Sequence, residues 1–471
     1  MISIQNLLTN LSIYLSKLKS INIKPQPHNR TRRRSKLTEL CGFIHDRDEG
    51  WVNITIYGEP YKRGFAHGYL LKDELKRVIK VFPFLITDVI EVSVSKYMKD
   101  CIRMIKPILK KQFPEYYTEI QGISDGAKKA GLDISVNMLI GWNAYMSMYS
   151  YYVDGGTQRC SAFIATGNAT ENGDIVMAHN THTDFASGQL QNIILTVEPV
   201  NGIRFVMQTS PGCIASGTDW FLCANGLIGC ETTIGDINYK PKFGYPYFCR
   251  IRQAMQYGNT LDEYSTIMLT KNAGDYACSW LFGDINTNEI MLCEMGLKVN
   301  NIQRTKNGVY YGMNSAISKR LRDKETDDVD YNNVSTSSGS RNARLNELLN
   351  KTYHGKLNVQ NAKQIIADHY DVYMQRVDMN SRGICNHFEH DIQTCCYDPH
   401  GLYGCTDGKV VNSKMAKSLK FYGRFGSACG RVFSIKKHID EHPEYKKWEK
   451  YVDDIPSWSW TKIQSYNQDK R

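Results

Sequence analysis

The chain has 471 residues, 42% of them hydrophobic and 23% charged, and a formal net charge of +10. That is enough for one or two sizeable cores and excludes a chain too polar to fold. A net +7 of this falls in residues 1–40, where Lys17, Lys19, Lys24, Arg30, Arg32, Arg33, Arg34 and Lys36 meet only Glu39, and a body so near neutral is not a nucleic-acid binder.

In residues 1–18, Leu7, Leu8, Leu11, Leu15 and Leu18 recur at helical spacing. The stretch lacks the continuous apolar run and early positive charge of a signal peptide. An amphipathic helix followed by a basic arm has the chemistry for peripheral contact with an anionic membrane, and the same composition equally suits an unstructured leader. Residues 20–40, with Pro25 and Pro27, read as a linker. No stretch reaches the roughly 18 apolar residues of a membrane-spanning helix.

The fold is expected to begin near Gly42, so residues 1–41 form the leader. Residues 51–58 alternate like a strand, and Arg63-Gly64 to His67-Gly68 lead into a helix ending near Ile86. Residues 98–131 read as helix broken at prolines, with Ile102, Ile105, Ile108 and Leu109 on one face. Residues 138–152 are apolar and aromatic and stop at Asp154-Gly155-Gly156. Residues 42–159 are therefore expected to be a helical segment packed on the core.

Strands dominate from Cys160. Asn172-Gly173, Asn201-Gly202 and Asn225-Gly226 each separate two apolar runs, the pattern of hairpins with type I′ turns. Helical segments at 247–258 and 261–271 interrupt, and strands resume at 280–284, 289–294 and 308–311. Residues 322–340 read as a loop, and a helix starts at Arg341. Hairpins, a helix pair and more hairpins point to antiparallel sheets covered by helices, an α+β fold.

Cys160 opens the first of these strands, and its hairpin brings His179 back alongside. A thiol at a strand start, with polar groups returned to it, suits a nucleophile. The chain has 14 cysteines, most of which are expected to be inert core residues. No pair has zinc spacing. Cys385, His387 and His390 lie close together without a convincing fourth ligand, so neither metal nor cofactor is expected.

Cys160-Ser161-Ala162, Ala178-His179-Asn180, Ser210-Pro211-Gly212 and Gly226-Leu227 through Glu231-Thr232-Thr233-Ile234 together resemble the phospholipase B-like, or laminin-ancestor, proteins. Tyr422-Gly423-Arg424-Phe425-Gly426-Ser427-Ala428-Cys429-Gly430 resembles that family's C-terminal signature. Four stretches are similar to the related acyl-CoA:6-aminopenicillanate acyltransferases: Arg63 to Gly68, Gly122-Ile123-Ser124-Asp125-Gly126-Ala127, Gly283-Asp284 to Glu289-Ile290, and Ile384-Cys385-Asn386-His387. The resemblance spans about residues 50–450.

Both families are N-terminal-nucleophile hydrolases. The resemblance implies a four-layer αββα sandwich made as a precursor that cuts itself at Arg159–Cys160, leaving residues 42–159 packed on a catalytic segment, 160–471. The free α-amine of Cys160, with an ordinary pKa of about 7.7–8.0, would then be the thiol's base. His179 would be the active-site histidine, and either His182 or Asp184 would orient the amine. Thr232 would contact the nucleophile's surroundings. Asn314, followed by Ser315, would donate to the oxyanion, a role typically worth about 2.7–4 kcal/mol. Arg341, or equally Arg344, would polarise the thiolate or bind a carboxylate or phosphate. Lipids and N-acyl small molecules are the implied substrates, cleaved at an ester as in a phospholipase or at an amide as in an amidase or acyltransferase. A silent lipid-binding homologue is the third reading. The resemblance implies a secreted or lysosome-like compartment, and the residues assign no oligomeric state.

Overall fold

Two large sheets carry the chain. The computed structural model describes residues 40–155, 160–242, 244–392 and 399–467. Residues 1–39 of the leader expected at 1–41, Arg159 of the anticipated cut, and Cys395-Cys396 lie outside them.

In chain order the strands begin with β1 (Gly42–Asp48), β2 (Trp51–Gly58), β3 (Cys160–Gly167), β4 (Gly173–Asp184), β5 (Ile193–Pro199) and β6 (Phe205–Thr209). Next come β7 (Trp220–Cys223), β8 (Leu227–Thr233), β9 (Cys278–Asp284), β10 (Glu289–Met295), β11 (Asn300–Thr305) and β12 (Gly308–Gly312). A short pair, β13 (Tyr370–Asp371) and β14 (Arg376–Val377), precedes β15 (Tyr403–Cys405), β16 (Asp407–Asn412), β17 (Lys420–Phe425) and β18 (Thr461–Gln464). Nine strands form one sheet in the order β1-β2-β5-β6-β7-β8-β9-β10-β11. Seven form the other, β12-β3-β4-β16-β17-β18 with β15 beside β4. Only β2 and β5 pair in parallel among the described strands; the remaining pairs are antiparallel, and the fold is mixed α+β.

The three Asn-Gly hairpins form as β3–β4, β5–β6 and β7–β8. Their turns differ from the expected type I′. Gly173, Gly202 and Gly226 have φ of 76°, 107° and 95°, but the preceding asparagines do not take positive φ. In the second and third turns one glycine takes the left-handed position without steric cost, and in the first Gly167, at φ 65°, is left-handed as well.

The strands' alternation sorts side chains into separate apolar clusters. Ala162, Ile164 and Met177 of the seven-stranded sheet share a cluster with Val206, Trp220 and Leu281 of the nine-stranded one. The alternate residues Phe163, Ala165, Val176 and Ala178 join Leu345, Leu349 and Ile365 from later helices. A third, larger cluster joins Ile54, Ile56, Ile193 and Leu195 to the helices of the first third, including Leu75, Val78 and Ile120.

In that first third, helices Pro60–Leu70 and Pro114–Lys129 meet through glycines. A β-carbon on Gly64 would lie 2.0 Å from the Glu119 carbonyl oxygen, and one on Gly68 1.9 Å from that of Ile123. Reciprocally, one on Gly126 would stand 2.0 Å from the Phe65 oxygen. The Arg63–Gly68 and Gly122–Ala127 motifs are thus the two faces of one close helix crossing. Buried Arg63 donates there to Glu119 (2.7 Å) and Glu115 (2.7 Å), and Arg252 donates to Glu119 (2.9 Å). His67 Nε2 accepts from the Gly212 amide (2.9 Å), so the helix also grips the Ser210-Pro211-Gly212 turn.

Two expectations need correction. The first third is not wholly helical, because β1 and β2 are integral to the nine-stranded sheet. Residues 322–340 are not one loop either: a helix covers Lys319–Glu325, and the next begins at Ser337 rather than Arg341. Ser318 and Thr336 are N-caps, accepting from the Leu321 and Gly339 amides, and Thr336 lies within the expected loop. No helix among the described residues is long and apolar enough to cross a membrane.

Candidate active site

Cys160 is 2% exposed at the first position of β3. The register sets Cys160 opposite Thr181, Ser161 opposite Asn180, and Ala162 opposite His179. His179 is therefore two pairs further along than the hairpin pattern suggests. Strand alternation still puts Cys160, Thr181 and His179 on one face, toward the other sheet, and Ser161, Asn180 and His182 on the opposite face.

Both ends of the Cys160 peptide unit are held by distant side chains. Its amide nitrogen points at Asn314 Oδ1 (3.4 Å), and its carbonyl oxygen accepts from Arg341 (2.8 Å). Arg341 is fully buried and also donates to Asn314 Oδ1 (2.9 Å), Ser161 Oγ (3.1 Å) and Ser337 Oγ (3.1 Å). The helix Ser337–Glu347 aims it inward and turns Arg344 outward onto Asp368 (2.7 Å). The choice between the two arginines thus falls to Arg341 for contact with the cysteine. Asn314 stands at φ 77°, a left-handed conformation an asparagine adopts more readily than most residues. Its Nδ2 donates to the Thr233 carbonyl (2.9 Å), so its oxygen, rather than its NH₂ group, faces Cys160.

The remaining candidates separate. His182 Nε2 bonds the Ile384 carbonyl (3.1 Å), and Asp184 caps the short helix Phe185–Gly188 by accepting from the Ser187 amide (2.7 Å). Neither contacts the Cys160 nitrogen. Thr232 lies against Gly312 between the sheets, its hydroxyl buried without a hydrogen-bond partner. His179 is fully buried, and its ring lies against the Glu231 backbone. Burial first, and then the Lys409 charge, hold its pKa well below the ordinary value, so the ring is neutral.

Sequence reasoning missed Asp407 and Lys409. Lys409 pairs with His179 across β16–β4 and is wholly buried. Its ammonium donates to Asp407 (2.7 Å) and Thr181 Oγ1 (2.9 Å). Asp407 also accepts from the Thr181 amide (2.9 Å) and Gln208 Nε2 (2.8 Å). The signal that could have found them is the run Asp407-Gly408-Lys409-Val410-Val411, two opposite charges at strand spacing ahead of apolar residues.

Burial pushes the Cys160 thiol well above its ordinary pKa, and the Glu231 and Asp219 charges add to this. The His182 backbone N–H and Lys409 act the other way. With an amide instead of an amine at its nitrogen, the thiol is protonated at neutral pH.

A groove of about 460 Å³ opens beside Gly155, the last described residue before Cys160, and is lined by Asp154, Asp236, Asp327, Asp330 and Lys240. Gly235, next in sequence to the lining residue Asp236, donates its amide to the Asn314 carbonyl (3.0 Å). Burial first, and then neighbouring aspartates, push Asp236 up to about 6.

The described residues also contradict the view that Cys385 and His387 lack further ligands. The fold brings His369 and Cys429 to them and leaves His390 beside Glu389.

No known family's sequence profile matches the chain. An uncharacterized protein of Archaeoglobus fulgidus is 24% identical over 270 residues, covering 52% of this chain and 44% of that protein. Protein dcd1A of Dictyostelium discoideum is 24% identical over 268 residues, covering 49% of this chain and 54% of its own. The chain spans about half the length of the curated relatives it matches. Two variants of conjugated bile acid hydrolase from Clostridium perfringens align in structure over 66% of this chain at 9% identity, with TM-scores of 0.35 and 0.31. They align over 99% and 92% of their own lengths.

Proposed function

We propose that the chain is a cysteine N-terminal-nucleophile hydrolase of acyl amides or esters, activated by cleavage between Arg159 and Cys160. The observation that carries this reading is the grip on Cys160. Asn314 and Arg341 converge on its nitrogen and carbonyl oxygen from 154 and 181 residues away. A cysteine that only filled the core would not gather a buried guanidinium and an amide at its own backbone. The division of side chains among three clusters supports a four-layer αββα arrangement.

In the cut, the Cys160 thiol adds to the Arg159 carbonyl, the peptide C–N bond breaks as the nitrogen takes a proton, and a thioester forms. Water then cleaves it, giving the Arg159 carboxylate and a free amine on Cys160. In turnover that amine takes the thiol proton, and Asn314 Oδ1 accepts one of its N–H groups. The thiolate adds to the substrate carbonyl, and the leaving alcohol or amine departs with the proton from the ammonium. Water resolves the new thioester to a carboxylic acid. Arg341 fixes the Cys160 carbonyl throughout, and His179 stands on the thiol's face of the sheet, where its neutral ring can meet substrate or water.

The lining of the groove favours the amide reading over a phospholipase B-like one. Four aspartates against one lysine would repel a phosphodiester and attract a substrate whose leaving group is cationic. The test is intact mass and N-terminal sequencing of wild type and Cys160→Ala, followed by hydrolysis of an N-acyl polyamine and a lysophosphatidylglycerol. A fragment beginning Cys-Ser-Ala-Phe, absent from Cys160→Ala, together with preference for the amide is the expected result. A chain that stays uncut and inert at neutral and mildly acidic pH refutes the reading and leaves a silent homologue.

A further inference from the structure

The opposite face of the Cys160 hairpin leads to a second cluster with a different chemistry. Two imidazoles and two thiols, from His369, Cys385, His387 and Cys429, place their ligand atoms within 4.8 Å of one another. They come from three separate parts of the chain. His369 follows the helix Val359–Ile366, Cys385 and His387 lie on the loop after β14, and Cys429 follows β17.

The spacing is that of a coordination shell. His387 Nε2 stands 3.6 Å from Cys385 Sγ and 3.5 Å from Cys429 Sγ. A tetrahedral zinc ion, about 2.3 Å from sulfur and 2.0–2.1 Å from nitrogen, sets sulfur–nitrogen edges of about 3.6 Å. The other nitrogen of His387 is 2.7 Å from Oε1 of Glu389, a buried carboxylate. A histidine whose far nitrogen donates to a carboxylate while its near one faces thiols is the supporting geometry of a metal ligand. His369 Nε2 is enclosed and has no hydrogen-bond partner in the protein. A disulfide between Cys385 and Cys429 would account for the sulfurs but leave both imidazoles without a role. The neighbouring thiol of Cys405 touches the Cys385 thiol and is itself held by the Asp407 carbonyl (3.2 Å) and the Ala428 amide (3.3 Å).

We propose that His369, Cys385, His387 and Cys429 bind one zinc ion in a closed, structural site. All four positions are filled by protein, so none is left for a reacting water. On binding, the hydrated ion exchanges its waters for two nitrogens and two sulfurs, and each thiol releases its proton to solvent. No electron is transferred.

The ion would brace the loop that buttresses the Cys160 hairpin. Next to Cys385, the Ile384 carbonyl takes Asn180 Nδ2 (3.0 Å), His182 Nε2 (3.1 Å) and Ser161 Oγ (3.3 Å). The Cys385 amide donates to the carbonyl of Asp368, next to His369 (3.0 Å). Pinning these ligands fixes the acceptor on which the polar face of β3 and β4 rests.

The test is elemental analysis of the purified full-length chain, then Co(II) titration of protein stripped with a chelator under reducing conditions. One zinc per chain is expected, and Co(II) should give visible bands of tetrahedral coordination with a near-ultraviolet thiolate charge-transfer band. Cys160→Ala should give the same content and spectrum, since its thiol takes no part. Glu389→Gln should weaken binding by about 10–100-fold with the bands in place. Cys429→Ser should lose charge-transfer intensity; if it does not fold, the wild-type titration decides alone. Reduced wild type with no zinc and no tetrahedral Co(II) spectrum, or a Cys385–Cys429 disulfide found by peptide mapping, overturns the proposal. None of these readouts depends on hydrolase activity, so failure here and failure of the Cys160 reading are told apart.

Discussion

His67 ties the first third of the chain to the Ser210-Pro211-Gly212 turn, and protonating it should loosen that tie. Its Nε2 accepts from the Gly212 amide, so the ring must carry a lone pair there and be neutral. Burial lowers its pKa to about 4, with Glu119 opposing and Arg252 assisting. In the unfolded chain the value is about 6.5. The unfolded state therefore binds more protons over this window, and stability falls as pH drops from about 6.5 to about 4. The difference of about 2.5 units, at 1.36 kcal/mol each, sets the full loss at about 3.4 kcal/mol. The assay is urea unfolding of wild type and His67→Gln at several pH values between 7.5 and 4.5. Glutamine keeps an acceptor near the Gly212 amide but does not titrate. Wild type should be the more stable at pH 7.5, and the gap should close or reverse by pH 4.5. Other depressed histidines, His179 and His182 among them, push both proteins the same way and cancel in the difference. A gap that stays constant over that range would refute the reasoning, because His67 would then have the same proton affinity folded and unfolded.

Three further outcomes are expected. Arg341→Lys keeps the charge but loses the fork that reaches Cys160 and Asn314; at about 1.5–3 kcal/mol for a lost charged hydrogen bond, processing should slow roughly 10–150-fold by timed mass spectrometry, whereas Arg344→Lys should process normally. Gly68→Ala drives a methyl into the Ile123 carbonyl and should cost about 1–3 kcal/mol or more in denaturant unfolding, whereas Gly131→Ala, with open space around it, should cost less despite its φ of 91°. Lys409→Met strands Asp407 in the interior and should cost about 3–5 kcal/mol by the same assay, with part of the loss recovered in the Lys409→Met, Asp407→Asn double variant.

The features legible in the sequence were those whose physics is local. An Asn-Gly pair between two apolar runs makes a hairpin wherever the runs lead, so the strands around Cys160 could be read without knowledge of their neighbours. The position of His179 was off by two pairs because turn geometry sets the register, and the turn is not the expected mirror-image type. Arg341 and Arg344 could not be separated, since which side of a helix faces inward is decided by what packs on it. Asp407 and Lys409 did not stand out because charges alternating along a strand usually face water; only pairing in the interior makes them buried. His369 and Cys429 gave no signal because 16 and 44 residues separate them from Cys385, and no local pattern spans such distances.

The parallel pairing of β2 with β5 has a consequence for the lifetime of a cut chain. A break before Cys160 leaves both strands in place, but they then belong to different molecules. Rejoining after unfolding becomes second order: its rate falls with dilution, and the half-time no longer belongs to the chain alone. Before the cut, the same strands find one another at the high effective concentration of a tether. Cleavage would thus leave the folded sheet unchanged and remove its easiest route back. The cut protein would persist through slow unfolding more than through reversible recovery. Diluting unfolded protein before refolding should separate the two forms, with the uncut chain recovering independently of concentration and the cut one in proportion to it.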